Sequence, residues 1–242
     1  MLGSGGFHPT ETRHTAGVIV PECGVLFDAG TSMFRLAGQI TRPELQIFLS
    51  HAHWDHIIGL TFLLVPMLDR RLTRVRLYAG DDVLHAVRHN LFDPQTFPLM
   101  PAFEFCPLQE GAEVKVEGGV VRHQKLPSHP RGSRAFRLEA GGSSLAYVTD
   151  TATDGTYTGF LKGTDCLIHE SNFADGNEAL AKQTGHSCLT PVARIAKEAK
   201  VGRLLINHMD PSYTDPVPFD LSPATKIFPK SEFAYDMMSF DV

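Results

Sequence analysis

Apolar and polar positions alternate along this chain in short runs, and the pattern predicts a mixed domain of strands and scattered helices. Residues 17–20 and 25–28 are short β-branched runs separated by Pro21-Glu22-Cys23-Gly24, which predicts a hairpin closed by the turn residues Asp28-Ala29-Gly30. Residues 45–50 form a nearly continuous apolar run, too short for a typical helix, and predict a buried strand. Ile57, Ile58, Leu60, Thr61, Leu63, Leu64 and Leu68 then recur at roughly helical spacing, predicting a helix over residues 55–69 that Pro66 bends or shortens. A strand is expected over 75–79 and a helix over 81–91, whose acidic start suits the helix dipole. Residues 93–107 hold four prolines with Phe97, Phe103 and Phe105, so an irregular apolar loop is expected there, either a wall or lid over a pocket or a segment packed on the core.

Further strands are predicted over 114–125, 135–140, 144–149 and 166–169, most of them separated by glycine turns such as Gly141-Gly142. Thr190-Pro191 reads as a helix start, an N-cap followed by proline in the first turn. Val192, Ile195, Ala196 and Ala199 make the buried stripe of that helix, and Lys197 and Lys200 lie near its negative end before Gly202. Residues 204–207 are the last clear strand, which delivers His208 at its end. With no internal repeat or low-complexity linker, residues 1–242 are expected to form one layered α/β (α+β) domain.

Composition narrows the class. A chain of 242 residues with 43% hydrophobic and 20% charged side chains buries a core, which excludes a disordered protein. The longest apolar stretch, 60–68, is interrupted by Pro66 and falls far short of the ~18 residues of a membrane span. Residues 1–6 have neither the basic start nor the apolar run of a signal peptide, so a cytoplasmic protein without a membrane partner is expected. Cys23, Cys106, Cys166 and Cys188 lie far apart with no C-x-x-C and read as reduced core residues, not as a disulfide or zinc framework. The 22 basic against 27 acidic residues, a formal charge of −5, argue against broad nonspecific nucleic-acid binding. Twelve histidines remain to be explained.

Four of the candidate ligands stand together in Ser50-His51-Ala52-His53-Trp54-Asp55-His56, directly after a predicted strand and before a predicted helix. Alternate side chains of an extended segment share a face, so His51 and His53 can grip one metal ion. The turn into the helix then offers Asp55 and His56 to a second ion nearby. Imidazole nitrogen and carboxylate oxygen suit zinc first, with manganese or iron as alternatives. Trp54 is expected to support packing within this loop. The basic run Arg70, Arg71, Arg74 and Arg76 reads as a solvated surface, whereas Arg131 and Arg134 are candidates for binding a substrate anion. His8, His14, His85 and His89 read as surface or structural residues.

Here the chain resembles the metallo-β-lactamase-fold hydrolases, whose H-x-H-x-D-H loop is matched by His51, His53, Asp55 and His56. The likeness runs along nearly the whole chain and is to the ribonuclease Z branch. Leu2-Gly3-Ser4-Gly5-Gly6 with Thr12-Arg13-His14-Thr15 resembles its opening, and Phe27-Asp28-Ala29-Gly30 the early D-x-G turn. Ala146-Tyr147-Val148-Thr149-Asp150-Thr151 is similar to its A-x-D-T segment. Leu167-Ile168-His169-Glu170-Ser171-Asn172-Phe173, Gly185-His186-Ser187 and Asn207-His208 follow in the same order.

The resemblance implies a four-layer αβ/βα sandwich, with helices outside two facing sheets and the site at the edge where strand-end loops meet. It implies His51, His53 and His129 on one divalent ion, Asp55, His56 and His208 on a second, and Asp150 bridging both. His123 is the alternative to His129, and otherwise a solvated strand residue. A hydroxide between the ions, its pKa drawn from ~15.7 towards ~7, would be the nucleophile. His186 is the implied proton donor to the leaving oxygen, with Glu170 or His169 orienting the site and His169 the other candidate donor. Asp55, His186 and Glu170 thus make up the expected catalytic set.

The activity so implied is hydrolysis of a phosphodiester, a small nucleotide or a related compound. Only residues 151–165 lie between Asp150 and the strand carrying His169, leaving no room for the long glycine/proline-rich arm with which ribonuclease Z grips transfer RNA. The P-x-K-x-R-N element of that branch is also not evident around residues 10–15. Transfer-RNA 3′ processing is therefore the alternative, followed by hydrolysis of another ester, thioester or lactone. A non-enzymatic metal-binding protein is the competing class and predicts a closed metal site. The resemblance also permits a homodimer.

Overall fold

The computed structural model describes all residues, 1–242. Strands β1 (Val18–Val20), β2 (Val25–Phe27), β3 (Glu44–Phe48), β4 (Arg74–Ala79) and β5 (Phe103–Pro107) lie side by side in that order in one sheet. The β1–β2 pair is the expected antiparallel hairpin, and the pairs from β2 to β5 are parallel. The second sheet contains β6 (Val114–Val116), β7 (Gly119–Leu126), β8 (Ser133–Ala140), β9 (Ser143–Val148), β10 (Cys166–Glu170), β11 (Arg203–Asn207) and β12 (Ser231–Phe233), in spatial order β12-β11-β10-β9-β8-β7-β6. Its β6–β9 portion is antiparallel and its β9–β12 portion parallel.

The period-2 alternation of the strands generates the layers. On β2, Leu26 joins an outer core beneath helical segments, while Val25 and Phe27 enter the space between the sheets. On β11 the arrangement is mirrored, with Leu204 and Ile206 outward and Leu205 inward. Phe27 stacks on Phe136 and Tyr147 across the central layer at 5.6 and 5.7 Å. Each fully buried Leu, Ile, Val or Phe contributes about 1.5–3 kcal/mol relative to exposure, so two-faced burial of short strands suffices to order them. The outer layers are completed by α1 (Trp54–Ile57), α2 (Leu64–Leu68) and α3 (Asp81–Ala86) on one side. On the other side lie α4 (Glu178–Thr184), α5 (Leu189–Glu198) and α6 (Ser222–Ile227), with Val192, Ala193, Ala196 and Ala224 in the second outer core. The result is the expected αβ/βα sandwich, and no helix is long and apolar enough to cross a membrane.

Several elements depart from their sequence patterns. The helix expected over 55–69 is three pieces, α1, a 3₁₀ segment Ile58–Leu63 and α2, and the break precedes Pro66. Tertiary hydrogen bonds explain it: the His56 carbonyl accepts the Ala29 N–H at 2.7 Å, and the Gly59 N–H donates to the Ala29 carbonyl at 2.8 Å. A Cβ on Gly59 would lie 2.1 Å from the Gly30 carbonyl oxygen, so only glycine allows this approach. The last part of the 93–107 loop is strand β5, and Phe97, Phe103 and Phe105 pack on the first outer core, so the packed-segment reading holds. Residues 114–125 divide into β6 and β7 around Gly118, whose φ of +70° makes the turn. Helix α5 starts at Leu189, and Thr190 gives its N–H and hydroxyl to the Asp175 carboxylate instead of acting as N-cap. Helices α4 and α6 and strand β12 carry too short an apolar pattern to be read from sequence.

Candidate metal centre

The parallel strands of both sheets end on the same side, and the chemistry-bearing residues follow those ends. The segment 51–56 follows β3, Asp150 follows β9, Glu170 closes β10 and His208 follows β11. His129 stands in the turn between β7 and β8. Grouping at the carboxyl ends of parallel strands is the usual site position in α/β sheets, because side chains there leave the ladder and face open space.

Seven side chains form two donor groups sharing Asp150. His51, His53, His129 and Asp150 offer ligand atoms all within 4.8 Å of one another, as do Asp55, His56, Asp150 and His208. The Asp150 carboxylate divides between them. Its Oδ2 lies 3.5 Å from His51 Nε2 and 3.7 Å from His129 Nε2. Its Oδ1 lies 3.2 Å from His56 Nε2 and 3.1 Å from His208 Nε2. Asp55 Oδ2 completes the second group at 3.2 Å from both His56 Nε2 and His208 Nε2. Nitrogen faces nitrogen in each group, His129 Nε2 to His53 Nδ1 at 3.2 Å and His56 Nε2 to His208 Nε2 at 3.1 Å. All seven are buried except His53, which leaves the centre open to solvent on that side.

Outer contacts orient the rings. His51 Nδ1 is 3.0 Å from Ser50 Oγ, His129 Nδ1 is 3.1 Å from the Gly185 carbonyl, and His56 Nδ1 is 2.7 Å from Asp28 Oδ2. Asp28, fully buried, also accepts the Ser50 N–H and hydroxyl at 2.7 and 2.8 Å and the Tyr147 hydroxyl at 2.9 Å. In the sequence Asp28 is only a turn residue, and its link to His56 emerges only in the folded chain. Asp28, Asp150 and His208 all have positive φ, +56°, +42° and +57°, a conformation that non-glycine residues adopt mainly where surrounding contacts enforce it.

Burial shapes the charge states. It holds the imidazoles of His51, His53 and His129 below the usual histidine range, so they are electron-pair donors at neutral pH. Burial would do the same to His56, but Asp55, Asp150 and Asp28 surround it and push its pKa well above that range. Burial disfavours the Asp55 carboxylate, yet His56 and His208 hold it well below the usual carboxylate range.

Beside the second group, Glu170 lies fully buried and accepts four donors: the N–H groups of Thr151, Asn172 and Ser187, and His186 Nδ1 at 3.0 Å. Burial opposes the charged form of His186, but the Glu170 charge and hydrogen bond overcome it and push the pKa up to about 9. The His186 ring centroid lies 5.0 Å from that of His129 and 5.6 Å from that of His208. His169 does not join the centre. It is sealed between the Tyr157 hydroxyl at 2.8 Å and the Glu170 carbonyl at 2.7 Å, because strand alternation turns it away from Glu170.

Other candidates are redistributed. His123 is not a solvated strand residue: it is buried, with its Nδ1 2.7 Å from Arg134 Nη1. Arg134 also donates to Glu110 Oε1 at 3.0 Å, so this buried guanidinium is engaged and is not the expected anion binder. Arg131 is exposed in the turn that carries His129. In the basic run, Arg71 pairs with Asp69, Arg74 with Glu104, and Arg76 with Glu44 and Glu104, as a solvated surface does. Trp54 does not support packing, being 70% exposed. The N-terminal segment, by contrast, reaches the centre: a Cβ on Gly6 would lie 2.6 Å from the His208 ring, and the Phe7 N–H donates to Asp55 Oδ2 at 2.9 Å.

Residues 24–209 match the model of the beta-lactamase superfamily domain. A ribonuclease Z of Salinibacter ruber is 28% identical over 300 aligned residues, covering 100% of this chain and 93% of that protein. The metallo-beta-lactamase fold protein YhfI from Bacillus subtilis superposes with a TM-score of 0.80 at 23% identity, over 97% of this chain and 95% of its own. A diphosphatase of the PhnP family superposes with a TM-score of 0.74 at 21% identity, over 97% and 92% of the two chains. With its two facing sheets and most of its length matched by that family model, this chain belongs to the beta-lactamase superfamily.

Proposed function

We propose that this protein is a dinuclear metal-dependent hydrolase of small phosphodiesters, nucleotides or related compounds. In this reading His51, His53 and His129 hold one divalent ion, Asp55, His56 and His208 hold the other, and Asp150 is common to both. The observation that carries it is the division of the Asp150 carboxylate between two donor groups. The donor chemistry fits cations: imidazole nitrogens face one another with carboxylate oxygens between them, and the buried His51 Nε2 has no hydrogen-bond partner. Their outer nitrogens are engaged as in metal-binding histidines generally. Zinc suits this nitrogen and oxygen set best, with manganese and iron as competitors.

Two divalent ions held by these residues would supply Lewis acidity for a phosphoryl group and a nucleophile available near neutral pH. The chain's own contribution is to position and to move a proton. Glu170 holds His186 Nδ1, which leaves His186 Nε2 to deliver a proton to the leaving oxygen. Exposure of His53 admits substrate, which favours turnover over a closed structural metal site.

Transfer-RNA processing is the second reading, favoured by curated relatives that are ribonucleases Z. Against it, 300 aligned residues set against 242 in this chain leave at least 58 positions of the Salinibacter protein without a counterpart. The deciding experiment is steady-state hydrolysis of bis(p-nitrophenyl) phosphate by protein reconstituted with zinc or manganese, with Asp150→Ala as control. Metal-dependent turnover that the substitution abolishes supports the phosphodiesterase reading, and precursor transfer RNA then tests the second. Stoichiometric metal without turnover redirects the search to carboxylic esters, thioesters and lactones.

A further inference from the structure

Two large aromatic side chains stand at the rim of the metal centre, and none of the hydrophobic cores takes them up. Phe7 is 75% exposed and Trp54 70% exposed. Single exposed apolar residues are ordinary on protein surfaces. These two are not scattered, because both are tied to Asp55. Trp54 immediately precedes it, and the Phe7 N–H donates to its Oδ2 at 2.9 Å.

The loop carrying Phe7 is also pinned. The Gly6 N–H donates to the Met209 carbonyl at 2.9 Å, and the Gly6 backbone lies so close to the His208 ring that any Cβ would collide with it. Phe7 itself has φ of +60°, a strained conformation for a bulky residue. The chain thus maintains an unfavourable backbone geometry with Phe7 anchored to the Asp55 carboxylate and its phenyl ring left in water, an arrangement that contributes nothing to any core.

We infer that Phe7 and Trp54 form an aromatic platform that stacks the nucleobase of the substrate, which makes them the specificity-determining residues and the substrate a nucleotide phosphodiester. The inference rests on the phosphodiesterase reading above. Every base has a π face, so two exposed rings recognise nucleotides without a hydrogen-bond code. The polar surroundings, exposed His8 and His53, suit a flat heteroaromatic base better than an acyl chain, which needs an enclosed apolar trench.

The chain has one tryptophan, so its emission reports this rim alone. Zinc-reconstituted protein is titrated with adenosine 5′-monophosphate and, separately, with ribose 5-phosphate, which carries the same phosphate without the base. Saturable quenching by the nucleotide alone is expected, and Phe7→Gly, which keeps a backbone that glycine adopts freely, should weaken nucleotide binding about five- to hundred-fold. In parallel, kcat/KM for thymidine 5′-(p-nitrophenyl) phosphate is compared with that for methyl p-nitrophenyl phosphate. The preference for the thymidine ester should fall in Phe7→Gly and Trp54→Ala and persist in Trp54→Phe. Equal responses to nucleotide and sugar phosphate, or an unchanged preference in both ring-removing variants, overturns the platform. Failure of the unmodified protein to cleave either ester overturns the phosphodiesterase reading instead, and the quenching titration still decides the platform.

Discussion

Replacing Asp28 by asparagine tests whether the second donor group depends on a residue that touches no substrate. Asp28 Oδ2 meets His56 Nδ1, the Ser50 hydroxyl and the Tyr147 hydroxyl, while Oδ1 accepts the Ser50 N–H. An asparagine of the same shape has one oxygen. If that oxygen takes the Oδ2 position, its NH2 faces the Ser50 N–H, and a buried backbone donor loses its acceptor at about 1–3 kcal/mol. The three remaining contacts also change from charge-assisted to neutral, roughly halving each. If the amide turns the other way, three donors lose the oxygen at once, so the first orientation prevails. Stability of the metal-free protein, measured by unfolding in urea, should therefore fall by about 3–7 kcal/mol. His56 loses the carboxylate that fixes its ring, and loss of such an outer partner typically lowers metal affinity about 10–100-fold. Calorimetric titration with zinc should show that fall in one of two binding events. Two binding events at unchanged affinity in a folded Asp28→Asn protein would refute the role assigned to Asp28.

Other substitutions probe the remaining parts. Asp150→Ala removes the carboxylate common to both groups, so metal content measured by elemental analysis should drop to one ion or none and hydrolysis should vanish. Two retained ions with full activity would take Asp150 out of the centre. His186→Ala should keep the metal and slow turnover by about 10²–10⁴-fold, and an unchanged rate on a substrate with a poor leaving group would make His186 structural. A proton donor acts below its pKa, so the alkaline limb of the pH–rate profile should lie near the His186 value of about 9. Glu170→Gln removes the charge that raises that value and should move the limb to lower pH, and a limb that stays in place would uncouple the pair. Gly6→Ala places a methyl against the His208 ring, so stability should fall by about 1–3 kcal/mol, measured by thermal unfolding, and second-ion affinity should fall with it.

Much of the layer structure is legible in the chain. The alternation that sends Leu26 outward and Val25 and Phe27 inward needs no knowledge of partners, because strand geometry sets which side chains share a face. The same holds for the stripe of α5, although its start does not follow Thr190, whose hydroxyl goes to Asp175 from another turn. The helix expected after the histidine loop breaks for a comparable reason. Its carbonyl at His56 and its N–H at Gly59 bond to Ala29, about thirty residues earlier, and such a partner leaves no trace in local periodicity.

The centre divides along the same line. His51, His53, Asp55 and His56 all fall within one six-residue segment, so a strand end followed by a turn brings their donors together, and the sequence by itself determined that half. His129, Asp150 and His208 belong to it in the sequence only through resemblance to a family, because no spacing relates them. Tertiary structure alone decided that Asp28 steadies His56, that Arg134 is spent on His123 and Glu110, that His169 faces away, and that Phe7 and Trp54 remain in water. The physical reason is the range of the forces involved. Periodicity records which face of an element is buried, whereas the meeting of side chains from different strand ends is set by how two sheets close on each other.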